Sequence, residues 1–279
     1  MAARAPSHEI STARSPGRLR AEWEAFTAAV RFLTRVPLAA KAEPTPETIA
    51  RSPVYYPVVG TLLGLTFGLL LAASSLVWPI GLAVPVVLGI EIWLTGAFHE
   101  DAVADFCDAV GGGWTHEQVH AIMRDSRLGT FGVLGLTFAV ALRGLAVAAL
   151  LAQYGIAGWP FWGAALVASA ALGRWCVLLA MVLVPPLEER PSLAQSVGRR
   201  LDWWAFGQAT AWAIPAVLCF AVAMPWNFVL SVLGVTLLVR WYVATVLHSV
   251  GGMTGDCLGF LACTTQLTVL LIAAARFPW

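Results

Sequence analysis

The stretch of sequence that decides the fold covers residues 54–77 and reads VYYPVVGTLLGLTFGLLLAASSLV. It contains no charged residue and is longer than the roughly 20 residues that a helix needs to cross the hydrocarbon core of a bilayer. Gly60, Gly64 and Gly68 recur at every fourth position, which places them on one helix face and predicts close packing against a neighbouring helix. The stretch therefore predicts a membrane-spanning helix.

Further apolar stretches of similar length follow, separated by short turns or polar segments. They cover residues 80–98, 130–152, 158–184, 203–223, 226–247 and 259–275. The whole chain is 59% hydrophobic and only 12% charged, about half the charged fraction of a typical soluble domain. We therefore predict an all-α, polytopic integral membrane bundle of about seven spans, with the lipid bilayer as its main partner. The net charge of +1 gives no basis for nucleic-acid binding.

The residues before the first span divide into two parts. Residues 1–18 are small, polar and basic, and we predict a disordered extension there. From Leu19 to Val36, apolar residues recur at spacings of three and four between arginines, which predicts an amphipathic helix in the membrane interface. Pro37 ends this pattern. Residues 19–279 are expected to form a single membrane domain.

The distribution of basic residues predicts the orientation. If the N-terminus is inside, the inside segments are 1–53, 99–129, 185–202 and 248–258. They contain 13 of the 17 Lys and Arg residues, whereas the turns near 78–79, 153–157 and 224–225 contain none. By the positive-inside rule, the N-terminus and the loops 99–129 and 248–258 are predicted to be cytoplasmic.

Acidic residues concentrate in the loop 99–129. Asp101, Asp105 and Asp108 are spaced i, i+4 and i+7, so on a helix they share one face and repel one another. A hard divalent cation, Mg²⁺ or Mn²⁺, would neutralise that face; an acidic, solvated helix end is the alternative. Asp125 lies further along the same loop, and His99 is a candidate metal ligand or substrate contact.

The segment RDSRLGTFG at residues 124–132 carries the opposite charge. Arg124 and Arg127 can pair with phosphate, and Gly129 and Thr130 begin a span whose N-terminal N–H groups suit an anion. An ordinary basic cluster beside the membrane is the alternative. A capping box just upstream predicts a short helix over residues 116–125.

A second Gly-rich loop, GGMTGDCLG at residues 251–259, combines a flexible backbone with the hydroxyl of Thr254 and the carboxylate of Asp256. The predicted topology places it on the same side of the membrane as the loop 99–129. Thr254 and Asp256 are therefore candidates for substrate binding, and a simple turn is the alternative.

Four charged residues fall inside predicted spans: Glu91, Arg143, Arg174 and Arg240. Either a buried pair of Glu91 with one arginine or a cationic cleft for a diphosphate would account for them. The surplus of arginines favours the cleft, with Arg174 as a substrate-binding candidate. Metal-binding acids, arginines and Gly-rich loops together suit phosphoryl transfer, with one of the carboxylates as general base.

Five segments in order resemble the cobalamin synthase family, also called adenosylcobinamide-GDP ribazoletransferase. They are FLTRVP at 32–37, YPVVG at 56–60, HED at 99–101 with Asp105 and Asp108, IMRDSRLGT at 122–130, and GG at 251–252 with TGD at 254–256 and Gly259. The resemblance covers roughly residues 25–265. This chain departs from the family pattern His-x-Asp-Gly-x-x-Asp at Ala102, which replaces the glycine, and at Glu100, which adds a carboxylate.

The resemblance implies a Mg²⁺-dependent enzyme of the bacterial inner membrane. In that family, a hydroxyl of α-ribazole, or of its 5′-phosphate, displaces GMP from adenosylcobinamide-GDP in the last assembly step of adenosylcobalamin. It implies that four carboxylates are metal ligands or the general base, namely Asp101, Asp105, Asp108 and Asp125. The two arginines of the segment 122–130 would bind the diphosphate.

Two other classes of protein remain as alternatives. A CDP-alcohol phosphotransferase also uses several aspartates on membrane helices, but its Gly-x-x-Ala-Arg element is missing after Asp108. A transporter would fit the intramembrane charges and the Gly-interrupted spans, although the acids cluster at one membrane edge rather than at the midplane. Glycine-lined spans are also compatible with a homo-oligomer.

Overall fold

The computed structural model describes residues 17–38, 44–187 and 201–276, and within them it confirms an all-α membrane bundle. The helices are α1 Arg18–Leu33, α2 Pro46–Arg51, α3 Tyr56–Ser75, α4 Ile80–Thr95, α5 Phe98–Gly112, α6 His116–Met123, α7 Thr130–Tyr154, α8 Trp159–Leu183, α9 Trp203–Ala223, α10 Pro225–Thr245 and α11 Gly255–Ala274. The predicted disordered extension falls almost wholly outside the described residues. Of that extension, Gly17 and Arg18 are described, as the N-cap and first residue of α1.

Six helical segments are long and apolar enough to cross a membrane, or seven if the bent pair of α4 and α5 is counted as one span. They correspond to the predicted stretches, with ends displaced by a few residues. The stretch 80–98 is the exception, because α4 ends at Thr95 and the chain turns by 87° into α5. Gly96 and Ala97 both have positive φ angles, 73° and 57°, and this pair of left-handed residues makes the bend.

Helix α8 lies at the centre of the bundle. In its most apolar window, 72% of the residues are buried, against 22% for α7. The predicted glycine face of α3 packs on α8: a Cβ on Gly60 would overlap the carbonyl oxygen of Ala170, and one on Gly64 would lie 2.7 Å from the Cα of Val167. Because glycine has no side chain, the backbones of α3 and α8 can approach closely at these two positions. Gly68, one turn further on, has only an ordinary contact with the Trp162 ring.

Helix α1 is amphipathic, as predicted, but it ends at Leu33 rather than Val36. Its inner face buries Ala25, Ala29 and Leu33, whereas Leu19 and Trp23 point outward with 87% and 60% of their surface exposed. Such a helix suits the membrane interface, where an outward apolar face meets lipid. It also packs on the start of the first span, through a hydrogen bond of 2.7 Å from the Tyr55 hydroxyl to Glu22.

Exposed tryptophans mark both ends of the bundle. Trp78, Trp159 and Trp226 lie at the end that carries the short turns, and Trp203 and Trp204 lie at the opposite end, where α9 begins. Tryptophan rings favour the level of the lipid headgroups. Their positions are those expected for a bundle that crosses the bilayer with its helices along the membrane normal.

Candidate active site

The bend between α4 and α5 sets the position of α5, the helix that carries the predicted aspartates. The motif FLTRVP at residues 32–37 packs against this bend. The backbone N–H of Arg35 donates a hydrogen bond of 2.7 Å to the carbonyl of Leu94, and the Arg35 side chain lies over Gly96. Phe32 makes an edge contact with Phe98, with ring centroids 5.2 Å apart. A short motif near the N-terminus therefore fixes the angle at which α5 leaves the bundle.

Three carboxylates gather where α5 passes the N-terminus of α11. Asp101 is exposed and Asp105 is half-buried on α5, and Asp256 lies in the first turn of α11. Asp105 experiences electrostatic repulsion from Asp101 and Asp256, and Asp256 from Asp101. We call Asp101, Asp105 and Asp256 the acidic cluster. The structure thus joins two predicted metal ligands from one loop to a predicted substrate-binding residue from the other.

Close packing of α5 on α11 makes this approach possible. Ala102 is buried, and a Cβ on Gly259 would overlap the Ala102 methyl group. The departure from the family pattern at Ala102 is therefore accommodated, because the residue opposite it is a glycine. The methyl group occupies space between the helices rather than space among the carboxylates.

Asp108 occupies a different position from the one that the helical spacing predicted. It is 8% exposed, and its two carboxylate oxygens each accept a backbone hydrogen bond of 2.7 Å, from Gly129 N–H and from Gly132 N–H. Asp108 therefore caps the N-terminus of α7, where a carboxylate also interacts favourably with the helix dipole. We had expected the N–H groups at the start of α7 to bind an anion. Two of them, those of Gly129 and Gly132, already donate to Asp108.

Asp125 and Arg127 form an ion pair in the loop before α7. The closest atoms, Asp125 Oδ2 and Arg127 Nη2, are 2.6 Å apart, and the Arg127 backbone N–H also donates to Oδ1 at 3.1 Å. These hydrogen bonds from Arg127 lower the pKa of Asp125 to about 2. Asp125 is therefore ionised at every physiological pH and holds Arg127 at the surface. Arg124 and Thr130 are exposed in the same segment.

The second Gly-rich loop meets the first through α6, which ends at Met123 rather than at Asp125. His116 Nε2 lies 2.9 Å from the carbonyl oxygen of His248, and His120 Nε2 lies 2.8 Å from that of Val250. Thr254 caps α11 by accepting from the Cys257 N–H. Sequence reasoning missed His116 and His120, although their i, i+4 spacing on one face of a short helix was the available signal.

The charges inside the bundle form a buried network instead of an open cleft. Arg143 pairs with Glu91 and lies 3.4 Å from Glu100, so the pairing alternative is correct for this arginine. Arg174 is 2% exposed and donates to Gln266 Oε1 at 3.1 Å. His99, also buried, interacts electrostatically with Arg174 and Arg143.

Two residues predicted to bind substrate, His99 and Arg174, therefore lie in the bundle interior, together with Glu100. Arg240 is exposed on α10. Asp101 and Arg127, by contrast, are exposed. The burial of ionisable groups in a bundle interior is costly, and pairing is the usual way in which that cost is offset.

The donor chemistry of the acidic cluster suits a hard divalent cation. Carboxylate oxygens from two helices repel one another there, and a cation relieves that repulsion. Within the described residues, no group of three or more His, Cys, Asp or Glu side chains is close enough to hold a metal by itself. An Mg²⁺ ion at this cluster would need water and substrate phosphates to complete its coordination, because Mg²⁺ is usually bound by only one or two carboxylates.

Fold and site together define a class: a polytopic helical membrane protein with a carboxylate cluster and an arginine-bearing loop at one end of the bundle. The cobalamin-5-phosphate synthase family model matches residues 25–274. Proteins named adenosylcobinamide-GDP ribazoletransferase are similar over most of the chain. The one from Leptospira interrogans is 33% identical over 91% of this chain and 96% of its own length. The one from Leptothrix cholodnii is 35% identical over 84% of this chain and 88% of its own length.

The chain belongs to the cobalamin-5-phosphate synthase family. The protein of the same name from Ralstonia pickettii adds 32% identity over 94% of this chain and 98% of its own length. No solved structure matches the chain. The family resemblance found in the five sequence segments is thereby confirmed.

Proposed function

We propose that this protein is an adenosylcobinamide-GDP ribazoletransferase, which joins adenosylcobinamide-GDP to α-ribazole or its 5′-phosphate and releases GMP. The observation that carries the proposal is the family match over residues 25–274, which includes every element of the site. The site supports it, because carboxylates and arginines lie at one end of the bundle, as a diphosphate substrate with a divalent cation requires. This step completes cobalamin assembly.

The reaction needs a proton acceptor and charge stabilisation at the diphosphate. The hydroxyl oxygen of the acceptor attacks the phosphorus that is linked to cobinamide, and the new O–P bond forms as the bond to the bridging oxygen breaks. GMP leaves with the electron pair of that bond. We propose Asp105 as the carboxylate that takes the hydroxyl proton. Asp108 has both oxygens engaged by backbone N–H groups and Asp125 is paired with Arg127, whereas Asp105 faces the other carboxylates of the cluster.

Arg127 and Arg124 are proposed to bind the diphosphate. The Arg127 side chain is 88% exposed although it is held by Asp125, so its remaining N–H groups can reach a ligand above the loop. Guanidinium groups recognise phosphate oxygens by directed, paired hydrogen bonds. The Asp125 ion pair would orient this arginine before the substrate arrives.

We propose Mg²⁺ as the cofactor, held by the acidic cluster. When bound, it would neutralise phosphate charge and stabilise the leaving oxygen of GMP. Asp101 and Asp256 are the residues that would hold it, with water and substrate phosphates as the remaining ligands. Asp108 is not included, since each of its two oxygens already accepts one hydrogen bond from a backbone N–H at the start of α7.

The cytoplasmic side of the bacterial inner membrane is the proposed location of the site. The distribution of 13 of 17 basic residues in the segments on that side supports this orientation. Fusion of alkaline phosphatase or a fluorescent protein after residue 276 and within the segment 188–200 tests it. Phosphatase activity from the fusion within residues 188–200 would contradict the orientation.

The direct test is GMP release by the purified protein in detergent or in liposomes. The reaction contains adenosylcobinamide-GDP and α-ribazole, with Mg²⁺ or with a chelator. We expect GMP and the cobalamin product in equal amounts, and only with the metal. A folded sample that releases no GMP would overturn the proposed function, and GMP release that survives chelation would overturn the metal.

Variants of the acidic cluster test the site itself. Asp101→Asn and Asp105→Asn are each expected to abolish turnover while the protein stays folded in the membrane. Glu117→Gln is the matched control, because Glu117 is an exposed acid on α6 at the same end of the bundle. Wild-type turnover in either cluster variant would contradict the assignment.

A further inference from the structure

A cavity lies at the end of the bundle opposite the acidic cluster. It has a volume of about 440 Å³ and is formed where α7 ends, α8 begins, α9 turns into α10 and α11 ends. Its lining includes Gln153, Tyr154, Phe161, Trp226, Asn227 and Arg276. A cavity of this size falls in the range of sites that hold small ligands. None of its residues belongs to the site proposed for the transfer reaction.

The walls of this cavity are fixed by short contacts. Asn227 Nδ2 donates to the carbonyl of Ile272 at 2.8 Å and so binds one of the free carbonyl groups at the end of α11. The rings of Tyr154 and Phe161 are stacked, with centroids 5.0 Å apart. The turn between them is held by a hydrogen bond of 3.0 Å from Trp162 Nε1 to the Gly155 carbonyl. The cavity is therefore a feature of the fold rather than a gap between loose loops.

Two polar groups in the cavity call for complementary partners. Gln153 Oε1 is buried and accepts no hydrogen bond from the described residues, which is unfavourable for a buried acceptor. Arg276 is exposed and forms no ion pair or hydrogen bond within the described part of the chain. A ligand that satisfies both groups must present a hydrogen-bond donor and an anion within one small headgroup.

The position of the cavity identifies the source of such a ligand. Trp159 and Trp226, with 62% and 63% of their surface exposed, lie at the same end of the bundle, at the level where tryptophan rings meet lipid headgroups. Arg276 is the basic residue that follows the last span. Aromatic walls, one guanidinium and one amide acceptor at headgroup level match a phosphate diester that carries hydroxyl groups.

We propose that this cavity binds the headgroup of an anionic phospholipid with a hydroxyl-bearing headgroup, of which phosphatidylglycerol is the simplest example. Arg276 pairs with the phosphate, and Gln153 Oε1 accepts a hydrogen bond from a headgroup hydroxyl. The acyl chains extend along the exposed apolar surface of the neighbouring helices. This site is independent of the proposed transferase activity, because it lies at the other end of the bundle.

The test is native mass spectrometry of the lipid-depleted full-length protein, titrated in detergent with phosphatidylglycerol or phosphatidylcholine. We expect one saturable phosphatidylglycerol per chain and at least about tenfold weaker binding of phosphatidylcholine. Phosphatidylcholine keeps the phosphate, but it offers no headgroup hydroxyl to Gln153 and brings a quaternary ammonium close to Arg276. Arg276→Gln should weaken phosphatidylglycerol binding by a similar factor. Arg20→Gln removes an exposed arginine from α1 at the other end and should leave this binding unchanged.

A second variant separates the two polar contacts. Gln153→Leu should abolish the preference for phosphatidylglycerol over phosphatidylmethanol, an anionic lipid without headgroup hydroxyls, while the Arg276 contact remains. Equal phosphatidylglycerol binding by wild type and Arg276→Gln would overturn the proposal. Displacement of the lipid by soluble glycerol 3-phosphate at comparable concentration would also overturn it, since the cavity would then recognise a soluble phosphoester rather than a membrane lipid.

Discussion

The cap that Asp108 forms on α7 leads to a prediction that separates a structural role from a catalytic one. In Asp108→Asn, the side chain keeps one carbonyl oxygen, loses its charge, and turns an NH₂ group toward one of the two backbone N–H donors. The native oxygens accept bonds of 2.7 Å from Gly129 and Gly132, and the side chain is only 8% exposed. One N–H group of α7 would therefore be left without an acceptor in a buried position.

The magnitude follows from these two bonds. Loss of one charge-assisted hydrogen bond and weakening of the other should lower the free energy of unfolding by about 2–3 kcal/mol. For a domain of 150–250 residues, this corresponds to a melting temperature lower by roughly 5–10 °C. Tryptophan fluorescence during thermal unfolding in detergent measures it, because the chain has 13 tryptophans. Asp101→Asn changes an exposed acid on the same helix, so this variant should have the melting temperature of the wild type.

GMP release, measured well below the melting temperature of the variant, supplies the second readout. We expect Asp108→Asn to retain much of the wild-type turnover once it is folded. A variant that melts at the wild-type temperature but releases no GMP would refute the capping argument. Asp108 would then act on the substrate or the metal, as its helical spacing suggested.

Three further predictions concern packing and charge elsewhere in the chain. Glu91→Gln removes the charge that pairs with Arg143 in the bundle interior. It should lower the free energy of unfolding by about 3 kcal/mol, measured by thermal unfolding. An unchanged melting curve would contradict a stabilising role for this pair. Gly259→Ala should lower the melting temperature, because the added methyl group overlaps Ala102. The double variant Gly259→Ala, Ala102→Gly should recover the wild-type melting temperature. Additive effects of the two substitutions in the double-mutant cycle would contradict the contact. The pKa of Asp125 is lowered from 3.8 to about 2, so its carboxylate stays ionised as the pH falls to 5. Any ion-pair contribution to stability would be lost progressively as the pH falls from about 4 to about 2. Asp125→Asn should therefore leave the shape of the pH–activity profile between pH 5 and 9 unchanged, and a shifted acid limb in that variant would contradict this.

The membrane spans could be predicted closely because each depends on local composition. A run of apolar residues long enough to cross the bilayer must be helical, since no water is present to bind its backbone. The ends of α9, Trp203 and Ala223, agree with the predicted stretch 203–223. The bend after Thr95 could not be predicted in the same way, because it depends on an alanine in a left-handed conformation that the contacts of Arg35 and Phe32 with its neighbours help to hold.

The candidate site was predictable in part. Helical spacing correctly placed Asp101 and Asp105 on one helix, and charge distribution placed the two polar loops at one end of the bundle, where α6 joins them. Spacing could not show that the third acid of the series turns toward α7. The partners of Asp108, Gly129 and Gly132, lie 21 and 24 residues further along the chain. They are brought to it by the packing of α7 on α5, which is not encoded in a local pattern.

Sequence alone determined the class of protein, the approximate number of spans and the family, because hydrophobic length and ordered motifs are local properties of the chain. Tertiary structure alone decided which charged groups are available for chemistry. Asp108 is bound by the N-terminus of α7, Arg143 by Glu91, and Arg174 by Gln266, whereas Asp101 and Asp105 are joined by Asp256 from α11. The physical reason is that a buried charge must find a partner wherever packing places one, and only the folded bundle specifies which groups meet.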